Sequence, residues 1–199
     1  TGVSLSLIPV SSRELCAELA LDGHLSRAAY LRLFLARFVP ASFKRVIYLD
    51  CDLVVRRCVG ELLDVDLKGR TLGAVRDFSL FDRNAHLPFE AGAPVALEGA
   101  VYFNSGVMVI DLERWREQEI ERRALAYTRA HAVRFCDQDP LNAVLRGAFC
   151  ELSPRWNVQL EALRPTLARV RRSLTMSEII GVLVRPAVLH FTDWKKPWG

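Results

Sequence analysis

Two carboxylates stand two residues apart at the end of a clean apolar run, Val46-Ile47-Tyr48-Leu49-Asp50-Cys51-Asp52. The β-branched and aromatic content of Val46 to Leu49 predicts a buried strand. In open α/β sheets, ligands gather outside the C-terminal ends of strands. Were the strand to continue, Asp50 and Asp52 would point the same way, because side chains repeat every second residue. Converging carboxylates repel unless a cation neutralises them. A hard divalent ion, Mn²⁺ or Mg²⁺, does so and can also grip a diphosphate. Two chemistries use such a pair. In phosphoryl transfer the first Asp is a nucleophile and the second a general acid. In nucleotide-sugar transfer both carboxylates hold metal and diphosphate together. A strand-end turn with solvated Asp residues is the alternative without chemistry.

Three further segments bear on that choice. Val188-Leu189-His190 reads as a last strand, and His190 at its end is a fitting third ligand for a borderline ion such as Mn²⁺. Lys195 and Lys196 follow within six residues and carry charge suited to a diphosphate. Asn104 interrupts the apolar stretch Val101-Tyr102-Phe103-Asn104-Ser105-Gly106-Val107 just before a strand. Its amide can donate to and accept from sugar hydroxyls, or simply form a turn. Asp137-Gln138-Asp139 lies at the start of a short helix, where N-capping explains one of the three residues but not all.

The elements that must position these residues follow from composition and patterning. A chain of 199 residues, 51% hydrophobic and 25% charged, is long enough to bury its own core and excludes a disordered protein. No apolar run approaches the roughly 20 residues that span a bilayer. The net charge of +4 is too small to announce a nucleic-acid binder. The late cluster Arg164, Arg169, Arg171, Arg172 and Arg185 gives a modest bias toward phosphate-bearing ligands or an anionic membrane surface. Five cysteines, an odd count without a CxxC pair, fit a reducing cytoplasm better than a disulfide framework or a zinc ribbon.

Short apolar runs alternating with helical patterns predict an α/β fold. Strands are expected at Val3 to Val10, Val46 to Leu49, Leu72 to Val75, Val107 to Ile110, Phe149 to Leu152 and Val188 to His190. Helices are expected over Ala28 to Phe38, capped by Ser26, and over Leu112 to His131. A third follows Asp137 as N-cap, has Pro140 in its first turn and ends at Gly147. Arg164 to Arg185 is amphipathic and basic, and Asp77 to Gly99 reads as a loop-rich insertion.

Taken together, Asp50-Cys51-Asp52, Phe103-Asn104-Ser105-Gly106-Val107, Asp137-Gln138-Asp139 with Leu141-Asn142, and His190 through Lys196-Pro197-Trp198 resemble glycosyltransferase family 8. The order and spacing are similar to those of the bacterial lipopolysaccharide galactosyl- and glucosyltransferases, with glycogenin more distant. The resemblance runs from about Ser26 to Gly199 and rests on four motifs in order. It implies a single, partial domain over residues 1–199 with the A-type glycosyltransferase fold, a mixed, mostly parallel, Rossmann-like sheet flanked by helices. It also implies a retaining transfer of a hexose from UDP-galactose or UDP-glucose to a saccharide or glycolipid acceptor, with Mn²⁺ or Mg²⁺ as cofactor. By position, Asp50, Asp52 and His190 would be metal ligands, and Lys196 would contact the diphosphate. Arg32, Cys51, Asp77, Asn104, Ser105, Asp137 and Gln138 would bind the donor, with Asp137 and Gln138 at the reacting carbon. A cytoplasmic setting at the inner face of the membrane, without nucleic acid, goes with that reading.

Two departures stand against the family pattern. Asp193 places a carboxylate close to the expected diphosphate. Nothing matches the opening strand and loop that grip uracil and ribose, so an N-terminally incomplete domain is expected. The rivals are a Mg²⁺-dependent haloacid-dehalogenase-type phosphatase, in which His190 has no role, and a degenerate sugar-binding remnant.

Overall fold

A nine-residue strand, β6 (Phe103–Asp111), is the structural axis of the computed structural model, which describes residues 4–19, 27–78, 86–90, 93–96, 101–131, 133–160, 174–192 and 196–198. The other strands are β1 (Arg45–Leu49), β2 (Leu53–Val55), β3 (Leu72–Arg76), β4 (His86–Glu90), β5 (Ala93–Ala96), β7 (Cys150–Glu151), β8 (Val158–Gln159) and β9 (Val188–His190). Helices are α1 (Ser12–Leu15), α2 (Leu35–Phe38), α3 (Leu112–Glu117), α4 (Ile120–Ala130), α5 (Gln138–Leu145) and α6 (Met176–Leu183). Residues Arg27–Phe34 form a 3₁₀ helix that runs into α2.

β6 is buried along its length except at Asp111, because both of its faces are covered. Met108 and Ile110 turn into a core with Tyr30, Leu33, Trp115 and Leu141. Val107 and Val109 turn into a second core with Leu62, Leu152, Trp156 and Val188. That alternation is the period of two expected of a strand, and it explains why the run Val107 to Ile110 is uniformly apolar.

The main sheet has the order β1-β6-β3-β7, and a second sheet the order β2-β9-β8. Mixed pairing is present as expected, but the balance differs from the expected parallel majority. β6 runs against both neighbours, and β2 runs against β9, so among the described strands only β3–β7 and β8–β9 are parallel. The antiparallel excess follows from the central place of β6, which opposes the strands on each side of it.

Other expectations are met or corrected in detail. β1, β3 and β9 lie where the apolar runs predict, and α5 ends at Leu145 with Arg146 and Gly147 both at positive φ. Residues 4–10 form no strand: Leu5, Leu7 and Ile8 are exposed, and Pro9 has no donor to give a ladder. The helix expected over Leu112 to His131 breaks between α3 and α4, where Glu119 takes a left-handed conformation, φ 50°. The break lets Trp115 and Ile120 both reach the first core. The insertion after Asp77 contains the antiparallel hairpin β4–β5. Ser26, Asp193, Lys195 and the arginines at 164, 169, 171 and 172 lie outside the described residues. No helix among the described residues is long and apolar enough to cross a membrane.

Candidate functional site

β1 ends at Leu49, one residue before the first carboxylate, and β2 begins one residue after the second. The pair therefore sits in the crossover between two sheets instead of on a continuing strand. Asp50 stays anchored, because its backbone N–H donates to Gly106 O at 2.9 Å. On the other side β9 pairs with β2 so that Leu53 faces His190. Two separate sheets thus bring Asp50, Asp52 and His190 together, with one ligand atom of each within 4.8 Å of the others.

The two carboxylates are held differently. Asp50 Oδ1 accepts from Arg32 Nη2 at 2.7 Å and from Tyr48 Oη at 2.8 Å, leaving Oδ2 directed at His190 Nε2, 3.9 Å away. Asp52 Oδ2 accepts from Lys196 Nζ at 2.7 Å, while Oδ1 is buried without a hydrogen bond and lies 3.4 Å from His190 Nε2. Burial alone would raise the Asp52 carboxyl, but its contacts with His190 and Lys196 outweigh that and hold it well below the usual carboxylate range. Lys196 also donates to Phe191 O. The structure therefore places Lys196 at the site with its ammonium resting on a carboxylate.

The remaining groups form a cavity of about 480 Å³ beside these ligands. Arg32 enters from the 3₁₀ helix with its face 4.8 Å from the Tyr48 ring, and Nη1 reaches Asp137 Oδ2 at 3.0 Å and Ser105 Oγ at 2.8 Å. Ser105 Oγ donates to Asp137 Oδ2 at 2.7 Å, and Ser105 N–H donates to Gln138 Oε1 at 2.9 Å. Gln138 Nε2 and Asn104 Nδ2 both donate to Asp77 Oδ2, at 2.9 and 3.2 Å. Burial drives the Asp137 carboxyl upward, opposed by Arg32 and Ser105. Asp137 holds the N-cap position of α5 without a capping bond, so its side chain serves the cavity instead. Asn104 is the second residue of β6, and its Oδ1 accepts from the backbone N–H two residues on, that of Gly106, at 3.0 Å, so the local bond and a place in the cavity coexist.

Nearly all the residues singled out by sequence meet here. Asp50, Asp52, Arg32, Asp77, Asn104, Ser105, Asp137, Gln138 and His190 line the cavity. Cys51 does not, and its thiol is exposed to solvent. Sequence reasoning missed Tyr48, Gly106, Asn157 and Gln159. Asn157 is fully buried, and its Oδ1 lies 2.9 Å from His190 Nδ1. The signal for it was a polar residue alternating with apolar ones in Trp156-Asn157-Val158-Gln159, too short a stretch to stand out. Gly106 carries no polar signal; it matters because a Cβ there would lie 2.2 Å from His190 Cε1 and 2.9 Å from Asp50 Oδ2.

A divalent cation fits this set. Among the described residues, the carboxylates of Asp50, Asp52, Asp77 and Asp137 and the cations of Arg32 and Lys196 gather at this site. The orphaned Asp52 Oδ1, with Asp50 Oδ2 and His190 Nε2 converging near it, supplies two oxygens and one nitrogen of the kind that Mn²⁺ accepts.

Comparison with known proteins agrees with the motifs. The family model for glycosyl transferase family 8 matches residues 9–199. General stress protein A of Bacillus subtilis is 33% identical over 187 residues, covering 89% of this chain and 61% of that protein. Lipopolysaccharide 1,2-glucosyltransferase of Escherichia coli is 28% identical, covering 87% of this chain and 49% of that protein. Among solved structures, galactosyltransferase LgtC in complex with donor and acceptor sugar analogs superposes with a TM-score of 0.74 at 26% identity, over 96% of this chain and 67% of that one. The chain thus spans about half to three fifths of the length of these two curated relatives.

Proposed function

Because the chain belongs to glycosyl transferase family 8 and has the A-type glycosyltransferase fold, we propose that residues 1–199 form a glycosyltransferase domain that moves a hexose, with retention, from UDP-galactose or UDP-glucose to a saccharide or glycolipid acceptor. The observation that carries this reading is the Asp50–Asp52–His190 triad opening onto a cavity of about 480 Å³ lined with amides and carboxylates. Asp50 Oδ2, Asp52 Oδ1 and His190 Nε2 would hold Mn²⁺ or Mg²⁺. Bound there, the ion supplies Lewis-acid stabilisation of charge on a departing diphosphate.

The protein groups do the rest. Lys196 sits close enough to exchange Asp52 for a phosphate oxygen. Arg32 keeps Asp50 and Asp137 apart in charge and fixed in place. Asp77, Asn104 and Gln138 would take sugar hydroxyls. Gln138 Oε1 already accepts the Ser105 N–H, and an amide oxygen so engaged is a poor nucleophile. That supports attack by the acceptor hydroxyl on the face the leaving group departs from. Envelope glycan synthesis is supported by the name of the Escherichia coli relative, a lipopolysaccharide glucosyltransferase. The phosphatase alternative suffers because Asp52, held so acidic, is unsuited to be a general acid.

The test is a pair of measurements. UDP release from UDP-galactose and UDP-glucose, with and without Mn²⁺, should appear only with the metal. A calorimetric titration of Mn²⁺ in the presence of UDP should lose its signal in Asp52→Asn. Metal-independent release, or equal titrations for parent and variant, would overturn the reading.

A further inference from the structure

The amide of Asn157 connects the metal triad to the sugar side of the cavity, and its orientation is dictated from outside. The Gly106 backbone N–H can only donate, and it meets Asn104 Oδ1 at 3.0 Å. Asn104 Nδ2 therefore faces Asp77 Oδ2, which as a carboxylate oxygen accepts. Asn157 approaches the same Asn104 Oδ1 at 2.8 Å, so it must present Nδ2 there. Its Oδ1 is left against His190 Nδ1 at 2.9 Å. An amide oxygen has no hydrogen to give, so the ring nitrogen carries the proton. A neutral imidazole protonated on Nδ1 has its lone pair on Nε2. Nε2 is the atom directed at Asp52 Oδ1 and Asp50 Oδ2.

We propose that Asn157 is a positioning residue for the metal, holding His190 as its Nδ1–H tautomer with Nε2 aimed between the two carboxylates. The inference rests on the metal reading above and goes beyond it. Gly106 gives the ring room, since a Cβ there would collide with Cε1, and Asn157 decides where its proton sits. The chain of bonds continues from Asn104 to Asp77, which also holds Gln138. Through Asn157, the amides facing the sugar and the nitrogen facing the metal therefore form one hydrogen-bonded unit. Partners of this kind, behind a ligating His, change metal affinity about 10- to 100-fold when removed.

Long-range ¹H–¹⁵N correlation spectra of the metal-free protein, at a pH where the imidazole is neutral, read the tautomer directly. His190 signals are assigned by their loss in His190→Gln. The expected pattern is a protonated Nδ1 and an unprotonated Nε2. Asn157→Asp keeps an acceptor toward His190 and should retain both this pattern and Mn²⁺ binding in the presence of UDP. Asn157→Leu removes the acceptor, and should lose the pattern and bind Mn²⁺ about 10- to 100-fold more weakly. Should Asn157→Leu not fold, the parent spectrum together with Asn157→Asp decides. An Nε2–H tautomer in the parent, or parental affinity in a folded Asn157→Leu, overturns the proposal and leaves the metal reading standing. Equal Mn²⁺ titrations for the parent and Asp52→Asn overturn the metal reading, and this proposal with it.

Discussion

Arg32 Nη2 donates to Asp50 Oδ1 at 2.7 Å, so one oxygen of this carboxylate is committed before any ligand arrives. The same guanidinium reaches Asp137 through Nη1. One buried cation therefore holds a residue of the metal triad and a residue of the sugar cavity at a fixed separation. Arg suits this task because its planar fork addresses two acceptors at once, which an ammonium does less well.

Removing that cation leaves two carboxylates in a poorly solvated place. Arg32→Met should destabilise the protein by about 3–5 kcal/mol, the usual cost of breaking a buried pair from one side. Arg32→Lys should recover only part of it. Urea unfolding of the three proteins measures both effects. A parental midpoint in Arg32→Met would show that Arg32 is not what holds the two acids.

Gln138→Ala in the complete enzyme should lower kcat more than it raises KM. The side chain is pinned by Ser105 N–H and Asp77, so in the proposed reaction it would present a fixed dipole and not a flexible contact. An interaction made mainly in the transition state shows that kinetic split. Steady-state kinetics with a UDP-sugar decides, and an unchanged kcat would reduce Gln138 to a structural bridge between Asp77 and β6.

Gly106→Ala should weaken Mn²⁺ binding at least tenfold, an estimate taken from the effect of disturbing a ligating His. The new methyl carbon would lie 2.2 Å from His190 Cε1 and 2.8 Å from Nδ1, so the ring must swing away from both carboxylates and from Asn157. Calorimetry gives the affinity, and circular dichroism checks that β6 persists. A variant that binds as the parent does would mean that the ring has slack which the packing does not reveal.

The acid limb of stability should carry the imprint of Asp52. Its carboxyl is pushed up by burial, yet held below the usual range, with the Lys196 ammonium 2.7 Å from Oδ2. The folded value thus lies below the unfolded value of about 3.9, and between the two the unfolded state binds more protons. Its contribution is full above about pH 4 and is lost as pH falls below that. Urea unfolding of the metal-free protein from pH 6 to pH 2 should therefore show a shallower loss for Asp52→Asn than for the parent. Identical slopes would remove the ion pair from the account.

Much of this was legible in the sequence because the relevant elements are short, apolar and periodic. Val46 to Leu49 announces a strand that stops just before Asp50, and Val188 to His190 one that ends at His190; both of those residues are able to hold a metal. The shared sheet face expected for Asp50 and Asp52 did not arise, since β1 stops at Leu49, and their convergence comes instead from a crossover between two sheets. The direction of β6 was not legible either. Apolar runs mark strands without saying which way they run, so the antiparallel centre of the sheet stayed hidden. Asn157 was hidden for a different reason. Its importance lies in pairing with Asn104 and His190, which are 53 and 33 residues away along the chain.

The bare Cα at position 106 has a genetic consequence. From any glycine codon, each single-base change that alters the residue either ends the chain or sets a side chain against His190. Position 106 therefore tolerates no neighbouring allele. In a screen of random point mutants selected for loss of the proposed transferase activity but normal protein abundance, lesions should accumulate at this codon out of proportion to its length. Reversion should come mainly from restoring glycine itself.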